Sequence, residues 1–204
     1  MTGLFIAFVV LSYLIGSIPT AVWVGKAFYN KDVRDFGSGN AGATNTFRVL
    51  GVKAGIPVLI IDVIKGWLCA YVLARQLHPS FLSNPAVNTQ IAFGVAAILG
   101  HIYPVFASFR GGKGVATALG IIIALHPEAS LSCFGVFIIV LLISRIVSVS
   151  SMLAAISFPL FVAFVFPESY NSLVIFSIVM SVLIVATHTK NIQRLLKGEE
   201  KKIF

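Results

Sequence analysis

Side chains able to do chemistry concentrate in three polar segments: 37–50 with Ser38, Asn40, Thr44, Asn45 and Arg48, 100–117 with His101, Arg110, Gly111, Gly112, Lys113 and Gly114, and 188–202 with His188, Asn191, Arg194 and Glu200. Gly, Ser, Asn and Thr offer backbone and side-chain donors, and the Arg and Lys residues add positive charge, a combination suited to anionic oxygens and above all to phosphate. The Arg48 guanidinium is a planar fork that matches phosphate or carboxylate bidentately. In Phe109-Arg110-Gly111-Gly112-Lys113-Gly114 the glycines allow backbone N–H groups to converge on an anion beside the lysine charge. This run is not a nucleotide P-loop, because that pattern needs glycine at Ala107 and a hydroxyl at Gly114, which argues against an ATPase. His188 and Asn191 are three apart, which puts them on one face of a helix, and an imidazole is a candidate base near neutral pH. His101, His126 and His188 lack metal-ligand spacing, and neither a metal nor a cofactor is expected. The plainer alternatives are a capped turn for the first segment, a flexible basic loop for the second and an interfacial histidine with a lipid-touching tail for the third.

These segments interrupt a chain that is otherwise compatible with lipid. With 204 residues, 58% hydrophobic and 11% charged, and a mean hydropathy of +0.97, it departs from the roughly 25% charge of soluble proteins. Apolar stretches run over 4–24, 54–77, 87–106, 115–125, 130–143, 149–166 and 173–187. A span needs about 20 apolar residues. The expectation is an all-α polytopic membrane protein of about seven transmembrane helices in a single domain, 1–204. The stretches 115–125 and 130–143 read as short, joined by a turn at His126-Pro127-Glu128, and form either two crossings or a re-entrant hairpin. The start lacks a basic n-region and reads as a retained first span.

If the three polar segments share one face, that face holds 13 of the 15 Lys and Arg residues, leaving Arg75 near the other face and Lys65 within a span. The positive-inside bias then places the segments and the C-terminus in the cytoplasm and the N-terminus outside. Anionic headgroups and an anionic substrate account for the +8 net charge; no module for nucleic acid is present. Asp62 and Lys65 lie one helical turn apart inside the second apolar stretch. Intramembrane ions are functional suspects, but an i,i+3 pair neutralises itself locally, and a supporting structural pair is expected. Cys69 and Cys133 lie in apolar segments with no disulfide framework.

In this order, the motifs resemble those of the acyl-phosphate:glycerol-3-phosphate acyltransferase family (PlsY type) of bacterial inner membranes. The resemblance rests on Tyr13-Leu14-Ile15-Gly16-Ser17-Ile18-Pro19, the run from Ser38 to Asn45, Asp62-x-x-Lys65-Gly66, and Gly100-His101 with Pro104-Val105-Phe106 and Phe109 to Thr117. It extends to His188-x-x-Asn191-Ile192-x-Arg194-Leu195-x-x-Gly198-x-Glu200. Ala41 stands where that family usually has proline, and Arg110 where lysine is frequent.

The resemblance implies transfer of a fatty acyl group from acyl phosphate to the 1-hydroxyl of glycerol 3-phosphate, giving lysophosphatidic acid and phosphate. Residues expected to contact phosphate are Arg48, Lys113, Gly111, Gly112, Gly114, Asn40, Asn45, Thr44 and Arg194. His188, Ser38 and Asn191 are the expected catalytic group, with Asp62, Lys65, His101 and Glu200 in support. Which segment holds which phosphate is open, as is whether His188 or a substrate phosphate oxygen takes the proton. A transporter of an anionic substrate is the alternative, although it would show such groups on both faces.

Overall fold

The computed structural model describes residues 2–78, 84–166 and 170–203, and all regular structure among them is helical. The chain divides into two compact units, Met1–Leu125 and His126–Phe204.

In the first unit, α1 (Thr2–Gly16) and α2 (Thr20–Tyr29) form a pair bent by 41°. Pro19 lies at this break, where a ring without an N–H cannot continue the helical ladder. The short α3 (Ala43–Leu50) is separated by Gly51, in the left-handed region at φ +82°, from α4 (Val52–Trp67). A π-helical segment, Leu68–Leu73, and α5 (Ala74–Leu77) prolong α4 into one 26-residue apolar helix. α6 (Asn84–Ile102) and α7 (Val115–Leu125) complete the unit. α1 packs on α6, and α4 on both α3 and α7. The α4–α7 contact is very close: a Cβ on Gly120 would lie 1.9 Å from the Val63 carbonyl oxygen, and one on Gly66 2.1 Å from that of Thr117. Small residues at such crossings let backbones touch where lipid supplies no hydrophobic drive.

The second unit holds α8 (Pro127–Ser144), α9 (Val147–Leu160) with a π-helical end at Phe161–Val165, α10 (Asn171–Thr187) and α11 (Thr189–Leu196). α9 packs against both α8 and α10. Long apolar side chains such as Leu142, Ile143, Phe164, Ile175 and Val182 stay exposed, the pattern of a lipid-facing surface.

Among the described residues, four helices are long and apolar enough to cross a membrane, or up to six if each bent pair is one span, and α7 is a further 11-residue apolar helix. Of the two stretches expected to be short, only 115–125 is. The other reaches 18 residues as α8. His126-Pro127-Glu128 is its start and not a free turn: the His126 side chain accepts from the Ala129 amide, and Pro127 sits where no N–H is needed.

Candidate active site

The first polar segment is built around Asn45. Its Oδ1 accepts from the Ser38 amide at 2.8 Å, while Nδ2 donates to the carbonyls of Val33 at 2.7 Å and Phe36 at 3.1 Å. Asn45 is 2% exposed. The asparagine expected to contact phosphate thus shapes the loop that presents Ser38 and Asn40. Thr44 and Arg48 are exposed on α3, and Ser38 and Asn40 are half-buried.

The second segment also differs from the expected anion cradle. The Gly111 amide donates to the Ile102 carbonyl at 3.2 Å and the Gly112 amide to that of His101 at 3.1 Å, so both cap the end of α6. Their small size has a separate use, since a Cβ on Gly112 would lie 2.2 Å from His101 Nε2 and 3.1 Å from the Ala41 carbonyl oxygen. The two loops therefore meet at Ala41 and Gly112. What the second segment offers an anion is the half-buried Lys113 and the exposed Arg110.

Beneath these loops lies a buried polar cluster. Asp62 and Lys65 pair at 2.7 Å, with side chains 1% and 4% exposed. Asp62 Oδ1 also accepts from Thr20 Oγ1 at 3.0 Å and lies 3.8 Å from His101 Nδ1, and Lys65 Nζ donates to the Ile18 carbonyl at 3.1 Å. Lys65 thus ties α4 to the bend between α1 and α2, and His101 stands between Asp62 and the glycine loop.

Two residues that position this unit's loops, Asp32 and Arg34, escaped the sequence reading. Asp32 caps the turn Val33–Asp35, pairs with Arg34 at 2.7 Å and lies 3.3 Å from Lys26 Nζ. The hydrogen bond from Arg34 holds the Asp32 carboxyl well below the usual carboxylate range, more than offsetting its burial. Arg34 Nη1 donates to the Ala107 carbonyl at 2.9 Å. The Asp-x-Arg spacing just before a glycine loop was the available signal for the local pair. Nothing local pointed to Ala107 or to Thr20 as partners.

The third segment lies in the second unit. His188 ends α10, and α11 departs at 58°, so His188 and Asn191 are related across a helix cap and not along one face of a straight helix. Both are buried, at 2% and 5% exposure. His188 Nδ1 lies 2.7 Å from the Ile184 carbonyl oxygen. A carbonyl only accepts, which assigns the proton to Nδ1 and the lone pair of the neutral ring to Nε2. Glu200 accepts from Asn191 Nδ2, from Arg194 Nε at 2.6 Å and from Ser148 Oγ at 2.8 Å. Asn191 and Arg194, expected to contact substrate, thus have bonds to Glu200. Burial pushes the Glu200 pKa up, but the hydrogen bonds from Arg194, Asn191 and Ser148 prevail and lower it. Ser148 is 52 residues from Glu200 and carried no sequence signal.

An all-helical, multi-pass fold whose polar loops gather cations beside small donors defines an integral membrane protein that handles anionic substrates. Residues 6–198 match the model of the glycerol-3-phosphate acyltransferase family. The chain is 44% identical over 198 residues to a glycerol-3-phosphate acyltransferase of Fusobacterium nucleatum, with 97% of each covered. It is 48% identical over 194 residues to glycerol-3-phosphate acyltransferase 2 of Bacillus anthracis, covering 95% of this chain and 96% of the relative. It is also similar to crystal structures of PlsY (YgiH), described as an integral membrane glycerol 3-phosphate acyltransferase. For the glycerol 3-phosphate form the TM-score is 0.87 at 40% identity, over 98% of this chain and 96% of that one. For the lysophosphatidic acid form it is 0.82 at 38%, over 98% and 95%. The chain belongs to the glycerol-3-phosphate acyltransferase family and is an acyltransferase of phospholipid biosynthesis.

Proposed function

We propose that this enzyme takes its acyl group from acyl phosphate and delivers it to the 1-hydroxyl of glycerol 3-phosphate, from the cytoplasmic face of a bacterial inner membrane. The observation that carries this reading is the meeting of two cation-bearing loops at Ala41 and Gly112, which puts Ser38 and Asn40 on one side and Lys113 on the other. Two phosphate groups need two such positions. The relatives' names and the glycerol 3-phosphate and lysophosphatidic acid forms of PlsY support the acceptor and the product.

Lys113 is assigned to the acyl-phosphate group, and Arg48 with Ser38 to the phosphate of the acceptor. Both cations make charge-assisted contacts, and Arg48 adds bidentate geometry. The acceptor hydroxyl oxygen attacks the acyl carbonyl carbon and forms the new ester bond. The bond from that carbon to the phosphate oxygen breaks, and phosphate leaves with the electron pair. The hydroxyl proton passes to a substrate phosphate oxygen, whose second pKa near 6 makes it a base already attached to the reactants. The family resemblance assigns His188 to orienting the hydroxyl, and Nε2 is the nitrogen that holds the lone pair when Nδ1 is bonded to Ile184. Asn191 and Arg194, held by Glu200, supply polar donors.

Incubating the purified protein in detergent with acyl phosphate and glycerol 3-phosphate tests the reading. Phosphate release and lysophosphatidic acid formation that require both substrates are expected. Acyl transfer from a thioester donor but not from acyl phosphate would overturn the donor assignment.

A further inference from the structure

Arg34 distributes its donors unusually widely. Nε and the backbone amide both bond Asp32 Oδ1 at 3.0 Å, Nη2 bonds Oδ2 at 2.7 Å, and Nη1 reaches the Ala107 carbonyl, 73 residues away, at 2.9 Å. A local cap of the Val33–Asp35 turn would need only the first three. Moreover, the side chains of Arg34 and Asp32 are 15% and 14% exposed. Largely buried, the pair has little of the solvent screening that makes exposed pairs nearly worthless. We propose that Arg34, carried on Asp32, is a positioning residue for acyl transfer: it docks the first polar loop onto the second and so sets the distance from Ser38 and Arg48 to Lys113.

Both ends of this link are fixed. On the Arg34 side, the carbonyls of Val33 and Phe36 are clamped by Asn45 of α3, the helix that carries Arg48, and Asp32 is close to Lys26 of α2. On the far side, Ala107 closes the turn Val105–Ala107, and its carbonyl also accepts from the Arg110 amide at 3.2 Å. Beyond it, Ser108 and Phe109 are held left-handed at φ 54° and 58°, and Gly111 and Gly112 are bonded to α6. Lys113 follows directly. Without Arg34, the stretch between Ala107 and Gly111 keeps its attachment to α6 but loses its attachment to the first loop. The Asp32 carboxyl, held well below its usual range mainly by the Arg34 hydrogen bond, stays ionised across any practical assay pH. A lysine has one nitrogen and cannot reproduce the guanidinium fork, which bonds the two carboxylate oxygens of Asp32 from Nε and Nη2 and the Ala107 carbonyl from Nη1.

This inference rests on the proposed two-phosphate reaction, and the experiment separates the two. In Arg34→Lys, chosen because it preserves the charge, amide exchange at residues 107–113 is expected to rise about tenfold or more. Turnover of the folded protein is expected to fall about 10- to 100-fold, the scale of an ~1 Å misplacement, with the KM of each substrate changed less than about threefold. Asp32→Asn should show the same split in milder form. In a cycle with Lys113→Ala, the double variant should be within about threefold of Lys113→Ala alone, since Arg34 then has no lysine to position. Unchanged exchange overturns the docking, and wild-type turnover or full additivity overturns the positioning role. A wild-type protein inactive with acyl phosphate and glycerol 3-phosphate overturns the reaction instead, while the exchange result still decides the docking.

Discussion

Arg48 and Lys113 test the phosphate assignment because Arg48 is exposed on α3 and Lys113 is half-buried in the second polar segment of the same unit. A hydrogen bond to a charged group contributes about 1.5–3 kcal/mol, so either alanine variant is expected to lose one to two decades of kcat/KM. Arg48→Ala should act mainly through glycerol 3-phosphate and Lys113→Ala through acyl phosphate. Initial rates with each substrate varied would check this, and wild-type constants in both folded variants would leave the loops without a binding role. His188 answers a different question. General-base loss typically costs about 10²–10⁴-fold. With the proton going to a phosphate oxygen, His188→Gln should lose less than about 10²-fold and keep the acid limb of its pH–rate profile. A larger loss with a flat acid limb would make His188 the base. The types of these side chains were legible in the sequence, but their commitments were not. Asn45 looked like a phosphate donor because an amide offers the same groups to a ligand as to a loop, and only its three bonds to Val33, Phe36 and Ser38 tell them apart.

Helices make the next set of constraints. The Gly120 crossing of α4 and α7 leaves no room for a side chain, since an added Cβ would sit 1.9 Å from a backbone oxygen. Gly120→Ala must push the helices apart and is expected to destabilise by about 1–3 kcal/mol, read as a lower thermal midpoint in detergent. At the C-terminus, Glu200 holds α11 to Ser148 of α9, while the Ile203 amide donates to the Arg145 carbonyl at 2.8 Å. Because its folded pKa lies below the ordinary 4.5, Glu200 contributes stability that is complete above that value and lost as pH falls through the folded one. Exchange protection of residues 189–203 should therefore drop on acidification below pH 4.5, and Glu200→Gln should be weak at all pH values. Apolar length revealed the helices themselves. The α8 boundary was missed because Pro127 reads as a breaker, although at a first helical position it is a start signal. The bends at Pro19 and His188 were not legible either, because neither the apolar run 4–24 nor the end of the run 173–187 carries the direction in which the chain continues.

The charge distribution bears directly on which way the chain faces. Assigning 13 of 15 Lys and Arg residues to one face gives a strong inward bias, and from it we propose that all three polar segments lie in the cytoplasm, where a soluble phosphorylated acceptor is available. Asp35, Arg110 and Lys197 suit single-cysteine labelling because each is exposed, whereas a side chain at Gly112 would meet His101. The native Cys69 and Cys133 are buried and can be replaced by serine for a clean background. Gln76, exposed at the end of the 26-residue helix Val52–Leu77 far from Lys53, is the control for the opposite face. In intact cells an impermeant maleimide should label position 76 and spare 35, 110 and 197; in inverted vesicles the pattern should reverse. Two crossings by 115–143 or a re-entrant hairpin give the same result at all these positions, whereas a crossing by α8 alone would move only position 197 to the other face. Labelling of position 197 from outside with 35 and 110 protected would separate the third segment from the first two and deny His188 and Asn191 a part in the reaction at Lys113.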